Sequence, residues 1–307
     1  MINPELHPFL ERWDQEWSTL QPGATAADRR EHFEIIAKKM RLPTPDGVNC
    51  DVERWVACEF GDVRVRIFRH ESSAPQPCLI YLHGGAFMQG SPETHWDITA
   101  RFAAWNKQTV ISVDYALAPE NAFPIALEQV DAVVRWTVRD SKLLGIDPDR
   151  ISIGGDSAGG QLAAAATLDL RGEAPLIAQV LIYPVTDWDR SRPSYAENPD
   201  GPIVRPSDLV GQLYCPDESL RQSPRVVPLH AKSHAGLPPA FVSVAEHDPL
   251  RDSGVAYAEA LKAANVPVVL DMGKGLIHGY LRGMDYCVDS MNMLKKISAW
   301  LAVQNAA

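Results

Sequence analysis

The chain has 307 residues, of which 46% are hydrophobic and 22% charged, a balance that suits an ordinary globular protein with one sizeable core. A formal charge of −10, from 29 basic and 39 acidic side chains, argues against nucleic acid or an anionic membrane surface as a partner. It fits a small neutral substrate better. The five cysteines, Cys50, Cys58, Cys78, Cys215 and Cys287, are odd in number and include no C-x-x-C pair, so they read as reduced thiols.

The first fifty residues carry two apolar stripes at helical spacing, Phe9-Trp13-Trp17 and Phe33-Ile36-Ala37-Met40, which read as packing faces. The amino terminus lacks the basic-then-apolar pattern of a secretory signal. No apolar run approaches the ~20 residues of a membrane span, so a cytoplasmic protein without stable membrane insertion is expected. The break "LPTPDG" ends this region. "VERWVACEF" and "VRVRIFRH", separated only by Gly61-Asp62, then predict an antiparallel hairpin.

From there the pattern changes. "CLIYLH", "TVISVDY", "RISIGG", "QVLIYPV", "AFVSVAE" and "PVVLDM" are short apolar runs of the kind buried on both faces of a sheet. Segments 93–106, 122–140, 157–171, 253–265 and 285–302 are long enough for helices. The alternation predicts an α/β architecture with a mainly parallel sheet and an antiparallel edge. Residues 187–236, rich in Pro, Ser and Asp with one helical stretch near 207–214, read as an insertion above the sheet.

Within "ISIGGDSAGG", Gly155-x-Ser157-x-Gly159 matches the nucleophile elbow, a tight strand-to-helix turn that lifts a serine hydroxyl above the sheet edge. The alternative is a serine that merely caps a glycine-rich helix entry. A second signal, "CLIYLHGGAF", places His83-Gly84-Gly85-Ala86 after another strand. A glycine-rich loop can aim backbone N–H groups at charge developing on a carbonyl oxygen, and Ala158 at the helix start offers another.

A serine nucleophile needs a base and an orienting acid, which follow an elbow in the order acid, base. Four histidines follow Ser157: His230, His234, His247 and His278. Asp248 stands at the carboxyl end of the strand "AFVSVAE", where open α/β sheets collect active-site groups, and only His278 comes after it. His247 adjoins the acid and precedes it. Asp252, the rival acid, is read as the cap of a helix beginning at Ser253. No histidine cluster has metal-ligand spacing, so no metal is expected.

"HGGAF", "DYALAPENAFP", "GGDSAGGQLA", "DPLRD" and "IHGY", five motifs in order over roughly residues 50–302, resemble the hormone-sensitive-lipase-like branch of bacterial α/β-hydrolase carboxylesterases. The resemblance implies an α/β-hydrolase fold with a mostly parallel eight-stranded sheet, helices on both faces and a helical cap. The cap would combine 1–48 with 187–236, over a core of 49–186 and 237–307. It implies a cofactor-free esterase acting on short to medium acyl esters and pairing into a homodimer. Ser157, Asp248 and His278 would form the catalytic triad, with Gly84, Gly85, Ala86 and Ala158 as the oxyanion hole. Phe87, Leu209, Leu213 and Ile277 are expected to line the substrate pocket.

The chain departs from the family pattern in three places. Ala86 stands where a third glycine is common, Ala116 where arginine is usual between Tyr115 and Leu117, and Ser253 where an acid often follows "PLRD". The insertion lacks a tryptophan-rich helix, which predicts a roomier pocket for aromatic or branched esters. An amidase or formamidase would use the same triad. A ligand receptor of this fold would have lost a triad member, whereas all three are present.

Overall fold

The computed structural model describes residues 1–72 and 74–306. Two helices come first, α1 (His7–Trp17) and α2 (Ala26–Lys39). α2 opens on a capping box: Thr25 Oγ1 accepts the Asp28 N–H, and the Asp28 carboxylate accepts the Thr25 N–H. The sheet and its crossovers follow: β1 (Val48–Val56), β2 (Val63–His70), β3 (Gln76–Leu82), α3 (Trp96–Asn106), β4 (Thr109–Asp114), α4 (Ile125–Arg139), β5 (Ile146–Asp156), α5 (Ala158–Asp169) and β6 (Leu176–Ile182). Between β6 and β7 (Ala240–Ser243) lie two short helices, α6 (Pro193–Glu197) and α7 (Leu209–Tyr214). The chain closes with α8 (Arg251–Ala263), β8 (Val268–Asp271) and α9 (Val288–Gln304).

The eight strands form one sheet in the order β1-β2-β4-β3-β5-β6-β7-β8. β1–β2 and β2–β4 are antiparallel and the rest are parallel. The period of two explains why the central strands read as unbroken apolar runs, since both faces are covered. On β3, Cys78, Ile80 and Leu82 face a core shared with Leu127 and Val130 of α4, Leu162 of α5 and Leu261 of α8. Leu79 and Tyr81 face the opposite core, with Phe102 of α3, Leu294 and Ile297 of α9, and Phe9, Phe33 and Ile36 of the amino-terminal helices. The two early stripes are therefore packing faces, and α1 is fused to the body. Each large side chain buried this way contributes roughly 1.5–3 kcal/mol.

The hairpin differs from the sequence expectation. β1 starts four residues earlier, at Val48, and residues 57–62 form the connection, where Cys58 carbonyl accepts the Gly61 N–H across a turn. The turn chemistry of "CEFGD" outweighed its apolar alternation. Residues 187–236 contribute no strand to the sheet. The cysteines form no disulfide among the described residues. Nor, among those residues, is any helix long and apolar enough to cross a membrane.

On α4, Asp131 is 2% exposed, and among the described residues its Oδ1 has no hydrogen-bond partner. Arg225 comes no nearer than 4.0 Å. Burial, reinforced by the neighbouring Asp169, raises the carboxyl from the ordinary 3.8 to about 8. A folded-state value above the unfolded one imposes no penalty while both states are protonated. The penalty then grows as pH rises from about 4 to about 8. Asp131→Asn is therefore expected to raise Tm by a few degrees at pH 8 and progressively less toward pH 5. Thermal melts across that range check it, and a pH-independent change would contradict it.

Candidate active site

Ser157 sits between the end of β5 and the start of α5 with φ +55° and ψ −118°, a conformation costing L-residues on the order of 1–3 kcal/mol that is held only where the surroundings impose it. Here the glycines permit the close approach. A Cβ on Gly159 would lie 2.0 Å from the Leu82 carbonyl oxygen, and one on Gly155 would lie 2.4 Å from the same atom. β3 and α5 therefore approach each other more closely than any side chain would allow, which is what the G-x-S-x-G spacing is for. Ser157 N–H donates to the Ile182 carbonyl of β6 at 2.9 Å, fixing the turn.

Three segments from the carboxyl ends of β5, β7 and β8 meet at this serine. His278 Nε2 lies 2.9 Å from Ser157 Oγ, and His278 Nδ1 lies 2.7 Å from Asp248 Oδ2. The other Asp248 oxygen accepts the Leu250 N–H at 2.8 Å. Asp248 is fully buried and His278 is 4% exposed. A carboxylate can only accept, so Nδ1 carries the proton and Nε2 is left as acceptor for the serine O–H. The arrangement can draw a proton off Oγ and stabilise the imidazolium that results. Among the described residues His247 makes no hydrogen bond to Ser157; its ring nitrogen lies 3.7 Å from Glu246.

The loop after β3 faces the serine. Ala86 and Phe87 hold φ of +55° and +61°, and a Cβ at Gly85 would fall 1.9 Å from the Gln89 carbonyl oxygen. The Tyr115 hydroxyl donates to the His83 carbonyl at 2.6 Å, and its ring stacks on His83 at 4.2 Å. The "DY" and "HGG" motifs thus brace one another. Burial lowers His83 to about 3, so it is a neutral structural ring. Among the described residues, the N–H groups of Gly85, Ala86 and Ala158 donate to no protein acceptor.

Gly84 departs from expectation. Its N–H is committed, 3.0 Å from Asp156 Oδ1 and 3.2 Å from His95 Nε2, so it is not available to a substrate oxygen. Asp156, beside the serine in sequence, holds this junction together. It is 3% exposed and accepts the Tyr81 O–H at 2.8 Å. Arg282 reaches His95 Nε2 at 2.6 Å. Burial pushes the Asp156 carboxyl up, but His95, Arg282 and the Tyr81 hydroxyl outweigh that, and its pKa lies well below the ordinary carboxylate range. Asp156, His95 and Arg282 were not read as site residues from the sequence. The aspartate inside "GGDSAGG" was the one signal available for them.

Above Ser157 is a cavity of about 70 Å³, lined by Ala86, Phe87, Ala158, Trp188, Tyr195 and Val210 among others. Phe87 stacks on Tyr214 with centroids 3.8 Å apart, and Trp188 lies 6.3 Å from Phe87. These rings fill the room that the missing tryptophan-rich helix was expected to leave, so the pocket is small. Three expected pocket residues lie elsewhere. Leu209 is 54% exposed, Leu213 stands four residues on along the same α7 face, and Ile277 is fully buried in the core beneath. α7 turns Val210 and Tyr214 inward instead, one residue out of phase with the expectation.

The insertion is tied to the segment carrying Asp248. Ser253 Oγ accepts the Thr186 and Asp187 N–H groups at 2.8 and 3.1 Å, which explains a short neutral acceptor at this position. α8 begins at Arg251, so Asp252 lies inside it and accepts the Ser194 N–H at 2.8 Å. Ser194 Oγ donates to the Pro249 carbonyl at 2.7 Å, and Arg251 pairs with Glu197 at 2.8 Å. Ala116 presents its N–H to Gln129 at 2.7 Å.

Comparison with known proteins places this geometry in a family. Residues 79–282 match the model of a family described as alpha/beta hydrolase fold. The carboxylesterase NlhH of Mycobacterium tuberculosis is 40% identical over 294 residues, 92% of this chain and 90% of its own length. An ethyl acetate hydrolase of Pseudomonas putida is 37% identical over 298 residues, 92% of each. The structure of a hyperthermophilic esterase from Pyrobaculum calidifontis superposes with a TM-score of 0.90 at 32% identity, covering 100% of this chain and 99% of that one. The chain therefore belongs to the alpha/beta hydrolase fold family, in the hormone-sensitive-lipase-like branch that its five motifs resemble.

Proposed function

We propose that the protein is a serine carboxylesterase that cleaves short to medium acyl esters through an acyl-enzyme. Ser157 is the nucleophile, His278 the general base and Asp248 the acid that orients it. The observation that carries this is the unbroken Oγ···Nε2, Nδ1···Oδ2 chain, at 2.9 and 2.7 Å, opening onto a cavity. The relatives named as a carboxylesterase and an ethyl acetate hydrolase support the ester class.

In the first step Oγ attacks the ester carbonyl as its proton passes to Nε2. The tetrahedral oxyanion is held by the N–H groups of Gly85, Ala86 and Ala158, each such donor contributing about 3–4 kcal/mol. The imidazolium then protonates the leaving alkoxide, and the C–O bond breaks. Water, losing a proton to the same nitrogen, attacks the acyl-serine; the C–Oγ bond then breaks as that proton returns to Oγ, releasing the acid. Residues 1–48 and 187–236 form the cap, whose Trp188 and Val210 bound the cavity. A cavity of about 70 Å³ favours short acyl groups.

A fluorophosphonate probe should label the wild-type protein on Ser157, and kcat/KM over a para-nitrophenyl acyl series should peak at short chains and fall as the acyl group lengthens. Matched amides should turn over far more slowly than the esters. A protein that resists labelling, or that prefers the amides, would overturn the reading.

A further inference from the structure

The groove outside the catalytic cavity has a charge character opposite to that of the molecule. It is an open cleft of about 620 Å³ between the amino-terminal helices and residues 203–205 of the insertion. Trp13 and Trp17 form one wall, and Arg29 and Arg205 stand in it. No Asp or Glu is among the residues lining it, although acidic side chains outnumber basic ones by ten in the chain. Arg205 also lines the inner cavity that contains Ser157, so the cleft and the cavity share this side chain.

The two guanidinium groups have another property in common. The chain has 20 arginines, and the guanidinium groups of the other eighteen each make a hydrogen bond or an ion pair. Among the described residues, Arg29 and Arg205 have neither an ion pair nor a hydrogen bond from the guanidinium. Arg29 only lies over the Trp17 ring, 5.2 Å from its centroid. In a protein with surplus carboxylates, two exposed arginines without a protein partner beside the reaction cavity present ten N–H donors to the open cleft.

We infer that this cleft binds a carboxylate carried by the ester substrate at the end remote from the scissile bond. The inference rests on the esterase reading above and narrows its substrate class. The guanidinium fork matches a carboxylate in a bidentate fashion, which a neutral ester cannot satisfy. The tryptophan wall accepts the apolar or aromatic stem joining the two ends. The net charge of −10 disfavours a polyanion overall, while a cleft without acids concentrates a single negative charge locally. The global charge alone suggests a neutral substrate; the inference sets against it the acid-free, arginine-bearing lining of the cleft.

The test uses two matched ester pairs. Acyl-side charge is probed with the para-nitrophenyl half-ester of adipic acid against para-nitrophenyl hexanoate. Leaving-group charge is probed with para-acetoxybenzoate against its methyl ester. The readout is the ratio of kcat/KM for the anionic member to that for the neutral member. In at least one pair, Arg205→Gln should lower this ratio about tenfold and Arg205→Glu about a hundredfold, chiefly through KM. Arg29→Gln should lower it in the same pair. Raising salt from roughly 50 to roughly 500 mM should shrink the wild-type ratio and leave that of Arg205→Gln nearly flat. The responding pair identifies which end of the ester lies in the cleft. Ratios that stay within about twofold in both pairs, with the neutral esters still hydrolysed, would overturn the inference and spare the esterase reading. Wild-type protein that hydrolyses none of the four would overturn both.

Discussion

Ser157→Ala is expected to lower kcat by a factor on the order of 10⁶ while the protein stays folded. Among the described residues the hydroxyl hydrogen-bonds one side chain, His278, and alanine has a backbone preference close to that of serine, so the elbow keeps its shape. His278→Ala should fall to a similar level, and the double variant should fall little further, because the residues act as one unit. Asp248→Asn preserves the geometry but presents a donor to Nδ1, favouring the wrong tautomer, and should cost on the order of 10⁴. Steady-state kinetics with melting curves for each variant check this. A folded Ser157→Ala protein that keeps wild-type turnover would refute the assignment.

Asp156→Ala should destabilise the fold by about 3–5 kcal/mol, as expected when one member of a buried charged network is removed. The change strands the buried Tyr81 hydroxyl, takes the nearer acceptor from the Gly84 N–H and removes the negative charge beside the Arg282–His95 pair. Asp156→Asn should cost less, since an amide oxygen can still accept from Tyr81. The carboxyl sits below its ordinary range. Its stabilising contribution is therefore present above the unfolded-state pKa and is lost as pH falls through acid values. Denaturant titrations at neutral and acid pH should show the wild-type advantage over Asp156→Ala narrowing as acidity increases; a constant gap would contradict it. Turnover should fall as well, because Gly84 is the anchor of the loop bearing the Gly85 and Ala86 amides.

Much of this architecture can be read from local chemistry. β-branched runs doubly covered by helices leave an unmistakable apolar signature, and so the central strands and the five longer helices are legible in the sequence with ends shifted by a few residues, while β1 and β5 each start four residues early. The meeting of Ser157 with His278 followed from chain order and strand ends, because a parallel sheet collects its carboxyl ends on one edge. What stayed hidden depends on contacts between distant segments. Gly84 looked like a donor to substrate, and only the fold shows that Asp156 already holds its N–H. α7 is six residues long, too short for periodicity to fix its phase, and its inward face was assigned to Leu209 and Leu213 when Val210 and Tyr214 occupy it. Asp252 looked like a helix cap because nothing in sequence announces that α8 starts at Arg251 and that its acid is spoken for by Ser194.

Among the described residues, the polar fasteners between the insertion and the segment leading into α8 come from Thr186 through Glu197, while His234, near the far end of the insertion, packs edge-on against Tyr257 of α8. Beyond them, Val204, Arg205 and Val210 also face the cavity, from the part of the roof that lies past this riveted base. Changes at Val204, Arg205 or Val210 can therefore retune which molecules enter without shifting the carboxylate that steers the imidazole. The protein separates what it chooses from how it reacts, and descendants could diverge in diet while inheriting the same chemistry intact.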